Sequence, residues 1–150
     1  MVELRTILLA EDNPKDVELT LEAMAENNLA NQVVVVKDGV EALEYLRHEG
    51  KYKLRKAGNP CVILLDIKMP RMDGIEALRN IRSDDALKII PVVILTSSRE
   101  KKDLIDTYEL GVNAYVVKPI SFLRFIEAVK HTGAFWAVIN ELPPEGRIVI

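Results

Sequence analysis

Cysteine is nearly missing from this chain, with Cys61 alone among 150 residues. An internal disulfide is therefore impossible, and with no secretory signal at the amino terminus the cytoplasm is the expected location. Cys61 opens an apolar run, where a buried, inert thiol is expected. No apolar run is long enough to cross a bilayer, so a membrane role is not expected. An excess of one charge is missing too. The 20 basic and 23 acidic residues leave a net charge of −3, which gives no electrostatic reason to expect direct nucleic-acid binding. Nothing marks a second domain: residues 1–150 fit one domain with a substantial core.

What the chain does have is alternation. Short, continuous, β-branched runs at 5–10, 32–37, 61–66, 91–96 and 114–117 read as strands buried on both faces. Helical patterns fill the intervals. Asn13 is placed to cap the first helix, with Pro14 at its first position and Val17, Leu21 and Met24 facing inward. Asp38 with Glu41, and Ser97 with Glu100, read as capping pairs for the second and fourth helices, and Gly111 as the stop of the fourth. The order βαβαβαβαβα predicts an α/β fold, a doubly wound five-stranded parallel sheet with right-handed crossovers and helices on both faces.

Three features follow or close these runs: Glu11-Asp12, Asp66 and Lys118-Pro119. In an open parallel sheet the carboxyl ends of the strands share one edge, where ligands bind. Carboxylates distant in sequence become neighbours there. Glu11, Asp12 and Asp66 would bring up to three negative charges together, a costly arrangement without a hard cation, and Mg²⁺ with its preference for oxygen ligands suits it. Asp66 is the candidate nucleophile, since a carboxylate can attack a phosphoryl group once its charge is neutralised.

With Thr96 closing Val92-Val93-Ile94-Leu95-Thr96, these motifs resemble the receiver domain of two-component response regulators over about residues 5–130. The combination of an acidic pair, LLDIKMPRMDG, ILTSS and YVVKP in this order is very specific; any one alone would be weak. The resemblance implies a flavodoxin-like sheet in the order 2-1-3-4-5. It implies Asp66 as phosphoacceptor, with Mg²⁺, or Mn²⁺ in its place, held by Asp12, Asp66 and the main-chain carbonyl of Lys68, and by Glu11 through water. Lys118 and the Thr96 hydroxyl would bind phosphoryl oxygens, Pro119 would follow a cis peptide or simply open a helix, and Thr96 and Tyr115 would form a switch. Tyr115 also reads as an ordinary half-buried strand aromatic. Lys68 and Ser98 occupy the positions that influence phosphate lifetime in the family. Neither orients an attacking water, so slow loss is expected, although Lys68 pointing into solvent would matter little. Gly74 either loosens the loop after Asp66 or permits a turn.

The expected function is that of a stand-alone response regulator, phosphorylated by a sensor histidine kinase and acting through contacts rather than as an enzyme on a separate substrate. An aspartyl phosphohydrolase is the enzyme alternative, but Asp66-Ile67-Lys68 lacks the second Asp that such enzymes use as general acid. A flavodoxin-like binder is disfavoured by Glu11-Asp12, which would repel its phosphate. Relay to a histidine phosphotransferase stays open. Two segments depart from a minimal receiver: a basic connection at 47–60, whose default reading is a solvated loop, and an extension at about 132–150 containing Phe135 and Trp136. Both resemble response regulators that partner bacterial phytochromes, notably the small cyanobacterial ones. The extension either folds back on its own chain or, as the resemblance implies, accompanies a homodimer through the face from the fourth helix to the fifth.

Overall fold

Residues 2–25, 32–97 and 99–130 are described by a computed structural model. Ser98, Phe135, Trp136 and the rest of the extension lie outside the described residues. Strands β1 (Val2–Ala10), β2 (Gln32–Val36), β3 (Asn59–Leu65), β4 (Val92–Thr96) and β5 (Ala114–Val117) alternate with helices α1 (Pro14–Ala25), α2 (Gly39–Arg47), α3 (Gly74–Ser83), α4 (Lys101–Glu109) and α5 (Phe122–Lys130). All neighbouring strands pair in parallel, in the order β2-β1-β3-β4-β5. Strand β3 begins two residues before the apolar run, because Asn59 and Pro60 pair with the start of β1 beyond a register shift between Glu3 and Ile7. A proline is tolerated in a strand where the ladder is irregular.

The period-2 alternation of side chains sorts the buried runs into two cores. Leu8, Ala10, Ile63, Leu65, Val92 and Ile94 share a cluster with Ala42 and Leu46 of α2 and Ala77, Leu78 and Ile81 of α3. On the other face, Ile7, Leu9, Val62, Leu64, Val93 and Leu95 pack with Met24 of α1 and Phe125 and Ala128 of α5. Burying each such Leu or Ile contributes roughly 2 kcal/mol, so the central strands, apolar on both faces, anchor the sheet edge that follows them. Cys61 is buried here, its thiol donating to the Thr6 carbonyl, and burial pushes its pKa up to about 11, which keeps it neutral and inert.

Most of the expected caps form. Asn13 Oδ1 accepts from the N–H groups of Lys15 and Asp16, and Asp38 Oδ1 accepts from Glu41 N–H at 2.8 Å. Glu41 reaches back to the N–H of Lys37, one residue further than a simple capping box requires. Gly111, at φ +77°, closes α4: its own N–H donates to Tyr108 O and the N–H of Val112 to Thr107 O, the paired bonds of a Schellman stop. The pairing of Ser97 with Glu100 does not form. Helix α4 starts only at Lys101, its N-cap residue is Glu100, whose side chain does not cap the first turn, and exposed Ser97 lies upstream of that turn.

The basic connection is largely exposed, as its composition predicts, but it is held in a defined conformation. A 3-10 turn at Gly50–Tyr52 brings the Tyr52 hydroxyl to donate to Glu41 at 2.6 Å, and Lys51 pairs with the same carboxylate at 2.8 Å. Arg55 lies 4.0 Å over the Tyr45 ring and donates to the carbonyls of Tyr45, Lys56 and Gly58. One arginine thus supplies the bonds that this irregular backbone cannot make with itself.

Candidate acidic site at the strand ends

Each site segment continues a strand ladder by one residue, and this is what fixes its place. Glu11 N–H donates to Val36 O at 2.9 Å, Asp66 N–H to Ala10 O at 3.0 Å and Lys118 N–H to Thr96 O at 2.8 Å. Glu11, Asp66, Thr96 and Lys118 therefore leave β1, β3, β4 and β5 on one edge, as the parallel order requires. Glu11, Asp66 and Thr96 are buried, whereas Asp12 is exposed at the rim.

The Lys118 ammonium binds three carboxylates at once. It donates to Glu11 Oε1 through a very short contact, to Asp16 Oδ2 at 2.9 Å and to Asp66 Oδ2 at 3.2 Å. Asp66 Oδ1 accepts from Ile67 N–H at 2.8 Å, and Glu11 Oε2 from Asn13 N–H at 3.2 Å. Burial pushes Glu11 up to about 7, and the nearby Asp66 charge adds to this against the opposing pull of Lys118 and the Asn13 N–H. For Lys118, burial works to lower the pKa, but the bonds to Glu11 and Asp16 and the charges of Asp66 and Glu11 outweigh it and hold the ammonium protonated. One cation does not neutralise so many acids. One carboxylate oxygen from each of Glu11, Asp12 and Asp66 lies within 4.8 Å of the others, an all-oxygen donor set open to solvent at Asp12. This set fits Mg²⁺, or Mn²⁺, and a carboxylate with a raised pKa is what a second cation would relieve.

Asp16 was not among the residues singled out from sequence. An acidic residue in the first turn of a helix that opens at the sheet edge was the available signal, but its partner lies 102 residues away. Lys68 is exposed. The Lys118–Pro119 peptide is cis. Tyr115 is half-buried on β5 against the core shared with α2 and α3, and β5 runs beside β4 with Thr96 in register with Val117. Gly74 does not have a left-handed φ; where the chain turns into α3 its N–H donates to Ile67 O at 2.8 Å, and the backbones meet so closely that a Cβ would lie 2.0 Å from the Asp66 carbonyl oxygen.

Residues 7–130 match the family model described as the response regulator receiver domain. The chain belongs to this family. It is 34% identical over 139 residues to the response regulator Rcp1 of Synechocystis sp., covering 93% of each chain. Among solved structures it is similar to the bacteriophytochrome response regulator AtBRR, with a TM-score of 0.84, 56% identity and coverage of 93% of this chain and 99% of that one. It is also similar to the phosphorylated cyanobacterial phytochrome response regulator RcpA, with a TM-score of 0.74, 37% identity and coverage of 94% and 99%. Rcp1 itself has been solved in a Mn²⁺-bound form, with a TM-score to this chain of 0.73 and coverage of 93% and 99%. The chain is thus a two-component signalling protein of the flavodoxin-like fold, and a sensor histidine kinase is the class of partner its family implies.

Proposed function

We propose that the protein accepts a phosphoryl group from a histidine kinase on Asp66 and signals through a change of surface. The observation that carries this is the Asp66 carboxylate, buried and held by Ile67 N–H on one oxygen and by Lys118 on the other. Attack by the carboxylate on a phosphohistidine forms the O–P bond as the N–P bond breaks, and the imidazole leaves. Asp12, Asp66 and the Lys68 carbonyl would hold Mg²⁺, with Glu11 assisting through water. When bound, the ion offsets the charge on the phosphoryl oxygens. Lys118 exchanges a carboxylate partner for one phosphoryl oxygen, and the Thr96 hydroxyl donates to another. Movement of Thr96 gives Tyr115 space to follow, which alters the face of α4, β5 and α5. No separate substrate is expected. With acetyl phosphate and Mg²⁺ the protein should gain one phosphoryl group by intact mass, and Asp66→Asn none; equal labelling of the variant removes Asp66 from this role. Lys68 and Ser98 offer no group to orient water, so the label should persist and Ser98→Glu should shorten its life; an unchanged decay rate refutes that assignment.

The partner kinase of this reading is a bacterial phytochrome, as the names of AtBRR and RcpA support. The whole chain acts as one cytoplasmic receiver domain with its extension, relaying to a downstream protein such as a histidine phosphotransferase. Dimerisation is supported by α4, which turns Asp103 and Thr107 inward and leaves Leu104, Ile105 and Tyr108 partly exposed, and by α5, where Leu123 is 77% exposed. A second copy covers this face, with Phe135 and Trp136 contributing. Sedimentation that shows a monomer at every concentration, phosphorylated or not, eliminates the dimer.

A further inference from the structure

The segment between Asp66 and α3 is held from outside by the start of α2, through residues with no part in the phosphoryl chemistry. Arg71 donates from Nε to Asp38 Oδ2 at 2.8 Å and from Nη2 to Asp38 Oδ1 at 3.1 Å, a two-pronged contact that fixes orientation as well as distance. One residue later, Met72 O accepts from Gly39 N–H at 2.9 Å. The two backbones meet so closely that a Cβ at residue 39 would lie 2.7 Å from that carbonyl oxygen. Asp38 is a rigid acceptor, being buried and already fixed by its cap on Glu41 N–H.

Arg71 itself has a φ of 61°, a conformation that a non-glycine residue adopts at a cost. Its side chain is 59% exposed, so the ion pair adds little stability in itself. A strained, exposed arginine that reaches a buried carboxylate in fork geometry is better explained by what the contact positions. From Arg71 the constraint runs back to the acid. Gly74 N–H closes the segment onto Ile67 O at 2.8 Å, Met69 packs in the same core as Ile67, and Ile67 N–H donates to Asp66 Oδ1. Pinning residues 71 and 72 therefore sets where the Ile67 N–H lies, and this orients the Asp66 carboxylate relative to Glu11, Asp12 and Lys118.

We propose that the Asp38–Arg71 pair is a positioning clamp, which ties the loop after Asp66 to the start of α2 and so holds the Asp66 carboxylate in the geometry that binds Mg²⁺ and accepts phosphate. This rests on the role assigned to Asp66 above. Arg71 is a positioning residue, not a catalytic one.

Arg71→Gly separates the clamp from mere stability, because glycine adopts the left-handed conformation without strain while losing the fork. The expected result is a Mg²⁺ dissociation constant about tenfold weaker by calorimetry, with a urea midpoint equal to or above that of the wild type. Arg71→Lys, which keeps a charge but not the fork, should fall between the two. At Mg²⁺ concentrations below saturation, labelling by acetyl phosphate should slow by the same factor. A Mg²⁺ constant within about twofold of wild type in Arg71→Gly overturns the clamp. So does a weaker constant accompanied by an equivalent loss of urea stability, which would make the pair structural only. Failure of the Asp66 reading shows itself differently, as a wild-type protein that takes no label or an Asp66→Asn variant that does.

Discussion

Replacing Gly74 by alanine puts a methyl carbon where the chain already has backbone. The added Cβ would lie 2.0 Å from the Asp66 carbonyl oxygen, 2.8 Å from its carbonyl carbon and 2.9 Å from Ile67 Cα. No flexible side chain can swing aside. Carbon–oxygen contacts settle near about 3.3 Å, so the start of α3 and the end of β3 must part by roughly 1.3 Å. This breaks the Gly74 N–H bond to Ile67 O. Overpacking of this kind costs about 1–3 kcal/mol and the buried bond roughly 1 more, for a total of about 2–4 kcal/mol. With a urea slope of about 2 kcal/mol/M, the midpoint should fall by roughly 1–2 M. The displaced atoms belong to Asp66 itself, so labelling by acetyl phosphate should slow by about two orders of magnitude, as expected for a misplacement near 1 Å. Gly111→Ala is the control. There the nearest atom to a new Cβ is the Arg82 side chain at 3.5 Å, and only left-handed strain of about 1–2 kcal/mol applies, with labelling unchanged. A Gly74→Ala variant with a wild-type midpoint, or a Gly111→Ala variant that loses as much stability and labelling, refutes the reasoning.

Glu11 gives the metal-free protein a pH dependence of known sign. Its folded pKa, about 7, stands above the ordinary 4.5, so its contribution to stability is full below pH 4.5 and is lost as pH rises through about 7. Mg²⁺ binds the ionised form, and its apparent affinity should drop about tenfold per unit below about pH 7; a melting-temperature gain from Mg²⁺ that is equal at about pH 5.5 and pH 8 contradicts this. Arg82 donates to the carbonyls of Lys88, Ile90, Leu110 and Gly111 and to Asn113 Oδ1, so Arg82→Ala strands several acceptors at the end of α4. Its urea stability should fall by about 2–4 kcal/mol with faster amide exchange at Gly111 and Val112, and a loss below about 0.5 kcal/mol speaks against the role.

Where one local pattern decides an element, the sequence was legible. Strand runs buried on both faces announce a parallel sheet, and the sheet brings Glu11, Asp66, Thr96 and Lys118 to one edge without further information. The caps at Asn13 and Asp38 and the stop at Gly111 were readable for the same reason, since each acts within a few residues. Contacts that cross the fold were not. Asp16 matters through Lys118, and Arg55 orders the basic connection through Tyr45, ten residues back on α2. No periodicity marks either partner. Ser97 and Glu100 carry a capping pattern, yet Lys101 and Lys102 place positive charge at the positive end of the helix dipole, and the helix begins after the pattern rather than within it.

Helix α4 is the case in which pattern and burial oppose each other. Leu104, Ile105 and Tyr108 are the side chains that an amphipathic reading would turn to the core, but they are 40%, 44% and 52% exposed, while Asp103 and Thr107 are buried. The inward Thr107 hydroxyl is satisfied by the carbonyls of Asp103 and Leu104 within the helix, so the buried side is polar without being starved of partners. Burial of apolar surface therefore supplies little of what holds α4 in place. The Schellman stop at Gly111 and the Arg82 bonds to Leu110 and Gly111 hold its carboxyl end, whereas at its amino end the Glu100 side chain makes no cap. That end is joined to Thr96 by residues 97–100. A helix held by polar bonds at its carboxyl end and apolar toward solvent has the attachment that a moving signalling surface needs, because little buried apolar surface resists its displacement.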